Sequence, residues 1–278
     1  MKILKNLSFI GLGLLIVASC TNETNNNDVK ITIDTDTSNV LSSEEFDFKF
    51  PHPYALVASF EEAGIAFDAT RINSLENAKN YNTEGKELLN FGVYSSDLVY
   101  SIVNNQPQYS LKTFNTIRQL ADKVGMGKIF EKEDLAKEVE ANIGDRNKME
   151  DLLLDIHERL QEYLQDNGIR VYASVQFAGA WVEGMYLASY EFEKKDFKIL
   201  SVKVADQMNL LKDAMKGLEA YQKENTDLAD FIGKMSELQA TYNGFESVQN
   251  AQGLPILSEN EVAKIFESIN AIRAIAIQ

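Results

Sequence analysis

From Tyr54 onward, apolar residues recur at three- and four-residue spacing, and proline is confined to Pro107 and Pro255. That period is one face of an α-helix, and no alternating run competes with it. Leu200, Val204, Met208, Leu211, Met215 and Leu218 form the clearest stripe, and residues 146–166 repeat it from Met149 to Leu164. Ser258 and Glu261 stand at capping-box spacing and open a last helix that presents Val262, Ile265, Phe266, Ile269 and Ile272 to a core. Asn167-Gly168 is a helix stop. The spacing predicts helices near 54–63, 83–103, 108–124, 129–142, 146–166, 169–190, 198–222, 226–243 and 258–276. Short turns between them make sequential neighbours antiparallel. The long connection, 244–257, reads as a boundary or as a surface loop. The expected fold is therefore all-α: an antiparallel multi-helix bundle, or stacked helical hairpins, of about nine helices over residues 51–278.

Two of these segments are apolar all round. Residues 169–190 hold only Arg170 and Glu183 as charges, with Gly179, Gly184 and several alanines that allow close approach by neighbours. A buried core helix and a membrane span are the two readings; Glu183 and Gln176 would be costly in hydrocarbon, which favours the core. Residues 88–103 are similar, with Asp97 their only charge. Phe91, Asp97 and Tyr100 recur 86 positions later as Phe177, Glu183 and Tyr186, a hint that residues 83–166 and 169–276 are duplicated units.

Asp97 and Glu183 are the candidate chemistry, because burial raises a carboxylate's pKa unless a donor or cation compensates. In one reading each acid accepts hydrogen bonds from a nearby tyrosine, serine or arginine and fixes helix register. In the other, Asp97 and Glu183 line a pocket with Tyr94, Tyr100, Trp181 and Tyr186 that binds a cation or a polar small molecule, or serve an enzyme as acid, base or metal ligands. The remaining motifs fail on composition. His157-Glu158 starts like a zinc-protease helix, but Gln161 stands where the second histidine belongs. His52 and His157 are the only histidines, so catalytic triads lack material, and His157 falls at the border of an amphipathic face.

The first residues add a location. Lys2 and Lys5 precede an apolar run from Leu7 to Val17 that is too short to span a bilayer, and Val17-Ala18-Ser19-Cys20 closes it. This end resembles the lipobox of bacterial lipoproteins, which implies removal of residues 1–19 and attachment of acyl chains such as palmitate at Cys20, the only cysteine; the plainer reading is an ordinary secretory signal. Two or more acyl chains anchor a protein stably. Residues 20–50 then read as a lipidated cysteine and a tether, polar throughout 21–28. Asp34, Asp36, Ser38 and Glu45 have the spacing of a calcium loop, although Asn39 replaces the glycine of such loops and a polar linker is the alternative. No other cofactor is expected.

Loss of residues 1–19 removes two lysines and no acid, taking the formal charge from −15 to −17. A surface of that sign repels nucleic acid and anionic membrane. Between Glu131 and Asp166 there are twelve acids and five bases, either a solvated face or a site for a basic protein partner. Phe50-Pro-His-Pro-Tyr54, Phe91-Gly-Val-Tyr-Ser-Ser-Asp-Leu98 and Ala178-Gly-Ala-Trp-Val-Glu-Gly-Met-Tyr186 resemble a group of uncharacterised all-helical lipoproteins of Bacteroidota. The resemblance implies an exported helical lipoprotein and no particular activity; Thr21 after Cys20, where an aspartate favours inner-membrane retention in enterobacteria, points by analogy to the outer membrane. A binding or scaffolding role at the cell envelope is expected, with the membrane, through the lipid, and a protein or small ligand as partners.

Overall fold

The computed structural model describes residues 50–59, 66–131, 135–190 and 197–278, all inside one compact unit, Val40–Gln278. Residues 1–19, Cys20, the tether up to residue 49 and the calcium-type positions Asp34, Asp36, Ser38 and Glu45 lie outside the described residues.

Among the described residues the chain is all-α and has no strand. Its helices are α1 (Pro53–Ser59), α2 (Glu84–Val103), α3 (Pro107–Lys123), α4 (Leu135–Asn142), α5 (Arg146–Asp166), α6 (Val171–Ser189), α7 (Phe197–Glu224), α8 (Ala229–Asn243), α9 (Glu246–Gln249) and α10 (Glu259–Ala276). Two 3-10 turns, Leu75–Lys79 and Gly127–Phe130, complete the set. The caps explain the boundaries. Ser258 and Glu261 close the anticipated capping box on α10, Asp145 accepts from Lys148 N at the start of α5, and Gly168, at φ 69°, ends it. The 129–142 stretch is not one helix, because the 3-10 turn ends at Phe130 and α4 starts at Leu135.

The bundle is organised around α2 and α6. Of α2's 20 residues 15 are buried, and of α6's 19 residues 14 are, so neither helix keeps a solvent face. The apolar character of 169–190 thus has a home inside the protein, and no helix among the described residues is long and apolar enough to cross a membrane. Two glycines let the pair cross backbone to backbone: a Cβ on Gly92 would collide with the Gln176 carbonyl oxygen, and one on Gly179 with the Leu89 carbonyl oxygen. Beyond the crossing, Ser96 Oγ donates to the Ala180 carbonyl at 2.8 Å and Asp97 reaches Glu183. The partners advance together along both helices, so α2 and α6 run in the same sense. Around them α3 packs on α2, α7 on α6, α10 on α6 and α8, and α1 on α2 and α6.

Candidate functional site

Asp97 and Glu183 meet where α2 and α6 leave their crossing, with side chains 1 % and 0 % exposed as whole residues. Arg273 on α10 closes the pair. Its Nε donates to Glu183 Oε2 at 2.7 Å and its Nη2 to Glu183 Oε1 at 2.9 Å, a two-pronged contact of the strong kind. The same Nη2 also donates to the Arg71 carbonyl at 2.9 Å. Asp97 Oδ2 accepts from the Asn73 backbone N–H at 3.0 Å. No donor among the described residues faces Asp97 Oδ1, yet the Asp97 and Glu183 carboxyls are within hydrogen-bonding reach of each other. Both facts follow if Asp97 is a neutral acid that donates its proton to Glu183.

The electrostatics agree. Burial, then the charge of Glu183, pushes the Asp97 carboxyl well above its ordinary value, against the pull of the Asn73 N–H and Arg273. Burial also raises Glu183, with the Arg273 guanidinium opposing it. Burial works against the Arg273 charge, but Glu183 holds its pKa above the ordinary value. Burial and the two-pronged Arg273 contact thus favour ionised Glu183 beside a neutral Asp97. Neither acid lines the two clefts described below; the arrangement orders three helices and the 66–81 segment.

The tyrosines mostly hold backbone. Tyr94 donates to the Ser74 carbonyl at 2.7 Å. Tyr100 donates to the Ala66 carbonyl at 2.6 Å and accepts from Asp68 N at 2.9 Å. Together with Asp97 they strap residues 66–74 onto α2, and the hydroxyls of the buried Tyr94 and Tyr100 find their partners there. Tyr186 stacks on the Arg273 guanidinium at 3.9 Å and shares a 2.6 Å hydroxyl contact with Tyr190, whose ring in turn carries Arg71 at 4.1 Å. Trp181 stands apart: its indole N–H donates to the Gln207 carbonyl on α7 at 3.1 Å. Of the residues anticipated to line one pocket, the structure brings Asp97, Glu183 and Tyr186 together through Arg273 and sets Tyr94 and Tyr100 beside them along the strap, with Trp181 apart; none of the six lines either of the clefts described below.

Sequence reasoning missed Arg273, Asn73, Arg71 and Tyr190. For Arg273 a signal was present. Val262, Phe266, Ile269, Arg273 and Ala276 continue one stripe at steps of four and three, so a cation occupied a core position. The strap residues sit in irregular chain and carried no periodic mark.

The two histidines, 105 positions apart, also come together. Their ring centroids are 5.1 Å apart, edge to face. His52 accepts from Tyr54 N at 2.9 Å through Nδ1, and a bond to the Leu153 backbone holds its other side. His157 has its pKa lowered to about 4, by burial and then by His52. Both line a cleft of about 480 Å³, counted to its open mouth, between α2, α3 and α5. A smaller cleft of about 340 Å³ between α2, α5 and α6 shares His157 with it. Among the described residues no group of three or more His, Cys, Asp or Glu is placed to hold a metal. Compared with known proteins, the chain matches no family, no curated protein and no solved structure.

Proposed function

We propose that this chain is a lipid-anchored protein of the cell envelope whose helical domain binds a ligand or partner rather than transforming one. The observation that carries the binding reading is the closure of the Asp97–Glu183 pair by Arg273: the two acids are buried and touch neither cleft, whereas the open concave surface is apolar and bordered by His52 and His157. Small-molecule sites have that character, largely apolar with a few placed polar groups. The anchor is supported by the Cys20 lipobox and by the resemblance to helical lipoproteins of Bacteroidota, and the outer membrane by Thr21 after Cys20 in place of an aspartate.

Metabolic labelling with an alkyne-tagged palmitate tests the anchor. The parent chain should carry label and sediment with membranes, and Cys20→Ala should lose both. Label and sedimentation that persist in Cys20→Ala refute it.

A further inference from the structure

Residues 50–59 form a short arm against the bundle. Its helix, α1, packs on α2 and α6, Phe50 stacks on Phe177 of α6 at 4.4 Å, and Val57 is buried. Toward α5 the arm makes two contacts of another kind. The Tyr54 hydroxyl accepts from Arg146 Nε at 3.0 Å and from Nη2 at 2.9 Å, and the His52 ring meets the His157 ring edge to face at 5.1 Å. The apolar contacts do not respond to pH. The histidine contact does, because a proton acts on it in three ways.

A proton first removes the cap of α1. Pro53 has no N–H, so Tyr54 N is the first donor that α1 has to satisfy, and His52 Nδ1 accepts from it at 2.9 Å. An imidazole nitrogen accepts only while it is bare, and in the imidazolium both nitrogens donate. A protonated His52 therefore turns an N–H toward the N–H it now receives. Charge acts next, since two imidazoliums in edge-to-face contact repel. Loss of water adds to both: burial lowers the His52 pKa, against the Leu153 backbone bond and the charge of Glu150, and burial, then His52, lowers that of His157 to about 4.

Little in the surroundings offsets a second positive charge. Glu150 of α5 faces His52 and Tyr54, and Arg146, the other charged group of α5 at this contact, is itself a cation. From α2, α3 and α6, the residues that line the clefts around the two rings carry no titratable side chain.

We propose that His52 and His157 form an acid-released latch: the bare rings hold residues 50–59 against α5, and protonation frees this arm, α1 included, while the rest of the bundle stays folded. Release uncovers Phe177, on which Phe50 now lies, and the α2 and α6 surface beneath α1. The strap on α2 does not share the trend, because acid favours the neutral form of Asp97 that holds it. The latch depends neither on the ligand-binding reading nor on the lipid anchor.

A histidine in water titrates near ~6.5, so with His157 at about 4 in the closed arm its protonation alone multiplies the opening constant by about 20 between pH 7 and pH 5, and His52 adds to that. Hydrogen exchange of the full chain, read by mass spectrometry and corrected for the intrinsic pH dependence of amide exchange, measures this constant segment by segment. Protection of α1 should fall by at least about 20-fold from pH 7 to pH 5, and at pH 5 should stand at least about tenfold below that of α10, as an opening of its own requires. His157→Phe keeps a ring in the contact that takes no proton, and should cut the fall by about tenfold or more. His52→Asn combined with His157→Phe keeps an acceptor for Tyr54 N and should leave α1 equally protected at both pH values. The measurement on the parent chain decides by itself. An α1 without protection at pH 7, one as protected at pH 5 as at pH 7, or one that opens only together with α10 overturns the latch, and so does a fall that persists in the double variant.

Discussion

Replacing Asp97 by asparagine should leave the protein folded and make it increasingly more stable than the parent as pH rises. Asparagine reproduces the neutral acid: its Oδ1 can accept from the Asn73 N–H that now reaches Asp97 Oδ2 at 3.0 Å, and its Nδ2 can donate to Glu183 as the protonated carboxyl does. In the unfolded chain an aspartate ionises near ~3.9. In the folded chain burial and Glu183 hold the proton on Asp97 to a higher pH. Between those two values the native state binds one more proton than the unfolded state, so stability falls with rising pH by up to ~1.4 kcal/mol per unit. The contribution of protonated Asp97 is whole below the unfolded value and is lost as pH climbs through the raised folded value. The amide of the Asp97→Asn chain does not titrate and has no such dependence. Urea unfolding of both chains, followed by circular dichroism from about pH 4 to 8, should give a difference near zero at the acid end that grows in favour of Asp97→Asn. Arg273→Met supplies the contrast, because it strands Glu183 without its cation and should cost about 3–5 kcal/mol at neutral pH. An Asp97→Asn chain destabilised by more than ~1 kcal/mol at pH 7, or a difference that does not change with pH, would show that Asp97 is ionised in the native state and refute the reasoning.

The helix crossing and the histidine pair give two further expectations. Gly92→Ala and Gly179→Ala each push a methyl into a carbonyl of the opposite helix, and each should cost about 3 kcal/mol or more in denaturant unfolding, whereas Gly233→Ala in α8, where the added methyl meets nothing, should stabilise by up to ~1 kcal/mol. The His157 imidazole should titrate at about 4 in an NMR pH series; because its folded value is depressed, the stability it contributes is present above its unfolded value, ~6.5, and is lost as pH falls toward the folded one. A His157 midpoint near 6.5 would place that ring in water and contradict the packed geometry.

How far the site could be read in advance differs by residue. Asp97 and Glu183 were visible because each interrupts an otherwise apolar helix, a placement that singles out a buried acid whatever the fold. Their being neighbours was not visible; the 86-residue offset between the Phe-Asp-Tyr and Phe-Glu-Tyr patterns hinted at equivalence, which is not contact. Arg273 holds a stripe position, but a long charged residue in a last turn also suits a helix C-terminus, so position alone does not single it out as a buried cation. The strap was unreadable in kind. Toward the acid pair and Tyr100, Asn73, Arg71 and Ala66 act through backbone groups in irregular chain, and such groups leave no mark in the pattern of side chains.

The periodicity of apolar residues, the caps and the helix stops determined the all-α architecture and the bounds of most of the long helices to within about three residues, though not the late start of α4 or the short α9 inside 244–257, because these signals are local: a helix face, an N-cap oxygen and a left-handed glycine act within a few residues of themselves. Which helices touch was decided only by the tertiary structure. The α2–α6 crossing depends on Gly92 and Gly179 matching across 87 positions, and the state of the acid pair depends on an arginine 90 positions from Glu183. Long-range pairing and the burial it creates set protonation, strap and cleft alike, and those are properties of the packed interior rather than of any one helix.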